Sequence, residues 1–248
     1  MTIENEKDLA YRILVDNALS GPGCIMRPDS YQRLLILGME QHRVATGLDV
    51  QHLLDRFGVS WILLALTVEV RRPLRFNEYL TLHTWGTERE GLVFRRELSF
   101  LDDGGEEVMA AVKFDGTFDC RSRRICHDEA ILSALTLPEG KKLIEAHSRE
   151  TIDLAEFTEV ETRTVPPCYI DLLGHVNNTR YGELIYDAMP AALRPELTHL
   201  KRFELYFVHE IRPDDTITLY LREEGSCTQI AACKAGSGAL AFSSRLYF

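Results

Sequence analysis

No stretch of this 248-residue chain approaches the roughly 18 apolar residues in a row that a membrane-crossing helix needs. Basic residues are short: 28 Lys and Arg face 38 Asp and Glu, a net charge of −10. That balance excludes general nucleic-acid binding, which takes a basic surface to displace counterions from phosphates. C-x-x-C spacing is absent, so Cys24, Cys120, Cys126, Cys168, Cys227 and Cys233 read as reduced, structural residues. The one local grouping, Cys120, Cys126 and His127, fits no common zinc pattern and has no second pair. No metal and no other cofactor is expected. Residues 1–8 are acidic and polar, unlike a secretory signal or an Arg-rich transit peptide, so a cytoplasmic location is the expectation.

What is present is the composition of a soluble globular protein, 45 % hydrophobic and 27 % charged. Tyr31, Leu34, Leu35, Gly38 and Met39 recur at helical spacing, behind Asp29 or Ser30 as a cap. A short second helix over Val50–Phe57 should stop at Gly58. Residues 61–70 read as a strand. In "EYLTLHTWG" apolar and polar residues alternate with a period of two. Asp102, Asp103, Gly104 and Gly105 form a hairpin turn between two long strands. Residues 121–150, with the break Pro138-Glu139-Gly140, read as a partly helical linker.

The order then repeats. A helix is predicted over residues 178–189, with Tyr181, Leu184, Ile185 and Ala188 on one face and Pro190 ending it. A strand over 201–211, the alternating "DTITLYLREEG" and a hairpin turning at Gly236-Ser237-Gly238 follow. "RRPLRFNEYLTLHT" and "HEIRPDDTITLYLR" also share a proline-bearing turn, an acid and an alternating strand, which points to duplication. A helix followed by a meander buries its apolar stripe on the sheet. Two such units side by side give one sheet around two helices: an α+β, double (tandem) hot-dog.

Ahead of the second helix, "YIDLLGHVNNTRY" crowds proton-handling groups together. Gly174 loosens the backbone, and the amides after it sit at the positive end of a helix dipole. That place suits a carbonyl oxygen gaining charge in acyl transfer. Asp171 and His175, four residues apart, put an acid/base group beside an imidazole. The residues alone allow a plainer account equally well: Asn177 or Asn178 caps the helix, Asp171 complements its dipole and His175 fills space.

"DLLGHVNNTRY" resembles the D-x-x-G-H-V-N-N-x-x-Y signature of hot-dog acyl thioesterases. The whole chain is similar to the acyl-ACP thioesterases of plants and bacteria, through "VEVRRPLRFNEYLTLHTW" in the first half and "ELYFVHEIRPDDTITL" in the second. The resemblance implies two long helices wrapped by the sheet, an acyl-chain pocket in residues 1–145 and catalysis in residues 146–248. It implies a hydrolase that frees fatty acid from acyl carrier protein in fatty acid biosynthesis. Carried over by position, its catalytic residues are Asp171, His175 and Glu210. Leu173 stands where plant members have asparagine, and Ile211 where many have cysteine, which excludes a thiol nucleophile there.

On that resemblance Glu210 or Asp171 is the general base and His175 orients water or substrate, with attack by Asp171 itself as the lesser version. Amides at Gly174, Val176 and Asn177 hold the oxyanion. Leu34, Leu37, Trp61 and Leu63 are expected either to line the acyl tunnel or to be plain core. Arg121, Arg123, Arg124, Lys141, Lys142, Arg180, Lys201 and Arg202 are the expected docking groups for an acidic carrier. An acyl-CoA thioesterase, a non-catalytic acyl-binding protein and, more weakly, a dehydratase are the alternatives. A homodimer is the expected form of any further association.

Overall fold

The computed structural model describes residues 10–136 and 140–248. Residues 1–8, and Pro138 and Glu139 of the expected break, lie outside the described residues. In chain order the elements of the first half are β1 (Ala10–Leu14), α1 (Pro28–Thr46), α2 (Val50–Phe57), β2 (Val59–Val70), β3 (Tyr79–Glu90), β4 (Val93–Leu101), β5 (Glu107–Asp119), β6 (Arg124–Ile125) and α3 (Glu129–Leu135). The second half contributes β7 (Thr158–Thr164), α4 (Arg180–Ala188), β8 (Arg202–Phe207), β9 (Thr216–Glu224), β10 (Cys227–Lys234) and β11 (Leu240–Tyr247). The strands form one sheet in the order β1-β3-β4-β5-β2-β8-β11-β10-β9-β7, with β6 on β5. Read outward from its centre, the order is the same in both directions. Among the described residues no helix is long and apolar enough to cross a membrane.

Helix α1 lays Tyr31, Leu34, Leu35 and Met39 on the sheet, all buried in the main core. Burying each such side chain contributes roughly 1.5–3 kcal/mol. The expected cap is corrected: Pro28 opens the helix and no side chain caps it. Proline fits there because its missing N–H would have had no intrahelical acceptor. Asp29 instead sits inside the first turn, fully buried, and accepts two bonds from Arg27 at 2.9 and 3.0 Å. Helix α4 has only nine residues, so the second of the two expected long helices is short. Pro190 stops it, and a turn at Asn177–Thr179 delays its start.

The two halves carry the same local structure, offset by 150 residues through the turns that precede α1 and α4 and by 137 at the turns before β3 and β9. Isolated bridges join Ser20 to Met26 and Ile170 to Val176. Gly21 N donates to Ile25 O at 2.7 Å, as Asp171 N donates to His175 O at 2.9 Å. Cys24 and Gly174 are both left-handed, at φ 60° and 77°. Tyr31 and Tyr181 are both buried. The turns before β3 and β9 also match: Glu78 N to Arg75 O and Asp215 N to Arg212 O each measure 3.2 Å.

At the centre, β2 and β8 pair only over Ala65–Glu69 and Arg202–Tyr206. Beyond Ala65, β2 runs on to Val59 with β5 alone beside it. The chain after β8 turns aside, since Val208 N and His209 N both donate to Ala241 O. The sheet therefore splits along its own seam.

The expected linker is more ordered than its sequence suggested. It opens with β6, includes α3, and then crosses the outer sheet face, burying Ile144 and Ala146 against Val112 and Tyr206. Arg95 donates to Ile144 O and Leu143 N to the buried Glu97.

Helices α1 and α4 meet at Gly182. A β-carbon there would fall 2.3 Å from Asp29 N and 2.5 Å from Asp29 Cα, closer than real atoms approach. In an exposed helix, glycine to alanine is worth about 1 kcal/mol of added stability. Here the backbone clash dominates. We expect Gly182→Ala to lower the free energy of unfolding by about 1–3 kcal/mol, read from urea denaturation midpoints.

Candidate active site

The turn from Asp171 to Asn177 is a product of the fold, because its copy stands 150 residues earlier. Its chemistry is not. Where the second turn carries Asp171, His175 and Asn177, the first carries Gly21, Ile25 and Arg27. A turn that forms equally well with glycine, isoleucine and arginine needs none of the three polar groups to stand. That comparison weighs against the plain helix-cap account.

Asp171 uses its two oxygens differently. Oδ1 accepts from Leu173 N at 2.9 Å, within the turn. Oδ2 lies 3.4 Å from His175 Nδ1, which is also 3.3 Å from Val176 O. Both neighbours of Nδ1 are acceptors, so Nδ1 carries the proton in the neutral ring and Nε2 keeps its lone pair. Asn177 Oδ1 accepts from Thr179 N at 3.0 Å and Thr179 Oγ1 at 2.7 Å. An amide oxygen fixed in this way leaves Nδ2 as a free-facing donor. Asn178, the other expected cap, has its carbonyl bonded to Gln32 Nε2 of α1 at 2.6 Å.

Glu210 follows β8 where the chain leaves the sheet. Arg212 Nε donates to its Oε1 at 2.7 Å and Arg123 Nη2 to its Oε2 at 2.8 Å. Burial raises the Glu210 carboxyl, but the Arg212 hydrogen bond and the charges of Arg123, Arg212 and His175 outweigh it and hold it below the ordinary glutamate range. It is therefore ionised at neutral pH.

These groups share one cleft of about 660 Å³ at the split seam. Asp171, His175, Asn177 and Glu210 form its polar end. Ile36 and Met39 of α1, Trp61 and Leu63 of β2, and Phe207 at the end of β8 supply apolar wall. Two family models match the chain: the acyl-ACP thioesterase N-terminal domain over residues 33–131 and the C-terminal domain over residues 152–236.

The chain belongs to the acyl-ACP thioesterase family.

Its reaction class is thioester hydrolysis. The fold is that of an acyl-ACP thioesterase from Bacteroides thetaiotaomicron, with a TM-score of 0.83, 21 % identity, and 98 % of this chain and 99 % of the other covered. The 12:0-ACP thioesterase of Umbellularia californica gives a TM-score of 0.77 at 16 % identity, with 96 % of each chain covered. Comparison with curated proteins finds no match.

Three expectations about this thioesterase's site change. The amides meant for the oxyanion are occupied: Gly174 N donates to Asp171 O, Val176 N to Ile211 O and Asn177 N to Tyr169 O, at 3.0, 2.8 and 2.8 Å. These residues precede α4, whose first turn is Arg180 onward. Among the described residues the amides of His175 and Asn178 have no partner. The four residues expected to line the tunnel or to be plain core divide: Trp61 and Leu63 face the cleft, Leu34 is 0 % exposed in the core, and Leu37, 50 % exposed, does neither. Helical phase explains this, because Ile36, Met39, Glu40 and Arg43 lie on the stripe that turns toward the cleft.

The docking cations also divide. Arg180 pairs with Glu183, Lys142 with Glu88, and Arg202 with Glu69 and Glu204. Arg123 is committed to Glu210. Arg121, Arg124, Lys141 and Lys201 are exposed and in no ion pair among the described residues, and Arg124 borders the cleft. Arg123, expected as a docking group, instead holds the Glu210 carboxylate together with Arg212, which no sequence motif singled out.

Beneath the cleft, Lys113 is 1 % exposed, 3.0 Å from Met39 Sδ and 3.6 Å from Asp115. Burial pushes its ammonium down to about 8 from 10.5, with Asp115 opposing and Arg43 and Arg96 assisting. The unfolded chain binds that proton more tightly, so folding stability rises as pH climbs from about 8 to 10.5. Lys113→Met should lack this rise. Denaturation of both proteins at pH 7 and pH 10 should show their stability difference changing by on the order of 1–3 kcal/mol.

Proposed function

We propose that the protein frees fatty acids from acyl carrier protein, with Glu210 as general base. The cleft carries this reading, since it joins a carboxylate, an imidazole and an amide donor to an apolar wall in a volume of about 660 Å³. The division follows the two halves, with the acyl chain in residues 1–145 and the chemistry in residues 146–248.

Glu210 takes a proton from a water that His175 Nε2 orients. The water oxygen attacks the thioester carbon, and the carbonyl electrons move to oxygen. Asn177 Nδ2, with the unspent amides of His175 and Asn178, stabilises that oxyanion. A donor of this kind is typically worth 10²–10³ in rate. As the oxyanion collapses, the C–S bond breaks and the proton passes from Glu210 to the departing thiolate. Asp171 keeps the His175 ring in its Nδ1–H form. Arg124, exposed at the cleft, and Arg121, exposed three residues before it, supply positive charge on a chain of net charge −10 and suit an acidic carrier.

A saturated twelve-carbon chain, the one in the name of the Umbellularia relative, is the first probe. Lauroyl-ACP and lauroyl-CoA are supplied and free thiol is followed with a chromogenic reagent. Release from the carrier-bound ester is expected to exceed release from the CoA ester. Glu210→Gln, His175→Ala and Asp171→Asn should each lower kcat/KM by roughly 10² or more. Thiol release that survives all three changes would sink the site. Raising salt should raise KM for the carrier-bound ester with kcat nearly constant, and Arg121→Ala with Arg124→Ala should flatten that dependence.

A further inference from the structure

The carboxylate of Glu210 is held from two directions. Arg212, two residues on, takes Oε1, while Arg123 crosses from the other half of the molecule to take Oε2 at 2.8 Å. Arg123 lies in the turn between β5 and β6. Its Nη1 is 3.4 Å from the carbonyl of Leu173, inside the turn that carries Asp171 and His175. Its guanidinium also sits 5.9 Å from the Phe118 ring centre. One side chain thus touches the Glu210 carboxylate and the Asp171–His175 turn from the half that supplies the acyl wall.

Stability does not explain the arrangement. The Arg123 and Glu210 side chains are 42 % and 36 % exposed, and exposed ion pairs contribute about 0–1 kcal/mol. Arg123 also occupies a left-handed backbone conformation, φ 53°, which is unfavourable for a side chain of this kind. Asp119 holds it there, accepting from Arg121 N at 3.0 Å and Ser122 N at 2.6 Å, while Arg123 N donates to Asp119 O at 2.8 Å. A strained turn built to deliver one exposed guanidinium makes sense if direction matters more than energy.

We infer that Arg123 is a positioning residue for hydrolysis, fixing the plane of the Glu210 carboxylate from the opposite half of the molecule. The inference rests on Glu210 being the base, as proposed above. With Arg212 alone, one oxygen remains anchored and the carboxylate swings about its terminal bond. Displacements near 1 Å cost up to about 10² in rate. The charged and titratable groups facing Glu210 are Arg123, Arg212, His175 and the Tyr181 hydroxyl.

The test uses the full chain and its Arg123→Ala and Arg123→Lys variants. Glu210 is titrated by carbon-13 NMR with side-chain-labelled glutamate, its signal assigned through Glu210→Gln. Kinetics with lauroyl-ACP are measured across pH on the same samples. Loss of a neighbouring cation raises a carboxyl, so Arg123→Ala should move the Glu210 midpoint and the acid limb of kcat/KM to higher pH by about one unit. Its kcat should fall roughly tenfold with KM within about threefold. Arg123→Lys, which keeps the charge, should restore most of the midpoint and part of kcat. An unmoved midpoint in an active Arg123→Ala enzyme overturns the inference, as does a moved midpoint with unchanged kcat. Absence of thiol release by the unaltered protein overturns the proposed function instead, and any catalytic role for Arg123 falls with it even where the titration moves.

Discussion

The short antiparallel pairing between β2 and β8 is the contact on which the rest of this molecule depends. It joins the six strands of the first half to the five of the second in one sheet, so it sets the distance between α1 and α4 and the register of the two repeated turns. It also ends early. Had the pairing continued past Ala65 and Tyr206, the backbone groups of Val59–Leu64 would have found partners and the seam would be closed. Stopping there leaves a gap with apolar side chains of the first half on one wall and the polar turn of the second on the other. The cleft is a consequence of where two strands stop matching.

The helix contact at Gly182 works with the seam. Glycine lets α4 rest on the first turn of α1, and Gln32 of α1 then bonds the carbonyl of Asn178, the residue just past Asn177. The polar turn is thus held from the first half at two places, by Gln32 near its end and by Arg123 at Leu173. Its backbone is braced from across the duplication before α4 begins, while Asp171 and Asn177 are set by bonds inside the turn itself.

Much of this was legible in the sequence. The stripe through Tyr31, Leu34, Leu35 and Met39 gave α1, the Asp102–Gly105 turn gave the β4–β5 hairpin, and the signature from Asp171 to Tyr181 marked the polar turn. Strand β7, "TEVETRT", escaped notice because it lies at the sheet edge, largely exposed, with no apolar alternation to betray it. Helix phase separated Leu34 and Leu37 from the cleft by angles that residue type does not reveal. The amides of Val176 and Asn177 looked available because a sequence shows donors and not the carbonyls of Ile211 and Tyr169 that take them. Arg123 and Glu210 stand 87 residues apart, and no local pattern links them.

The degenerate first turn has one more consequence. A pair of identical hot-dogs would present two equivalent mouths, and a thioester could enter either way round. Here only one end of the pseudo-twofold axis bears an acid, an imidazole and an amide, while at the other Arg27 has been turned to clasping Asp29. The duplication has become polar in the geometric sense. On the proposed chemistry, an acyl chain has a single sense of travel through the molecule, with its carbonyl toward the second half and its methyl end toward the first.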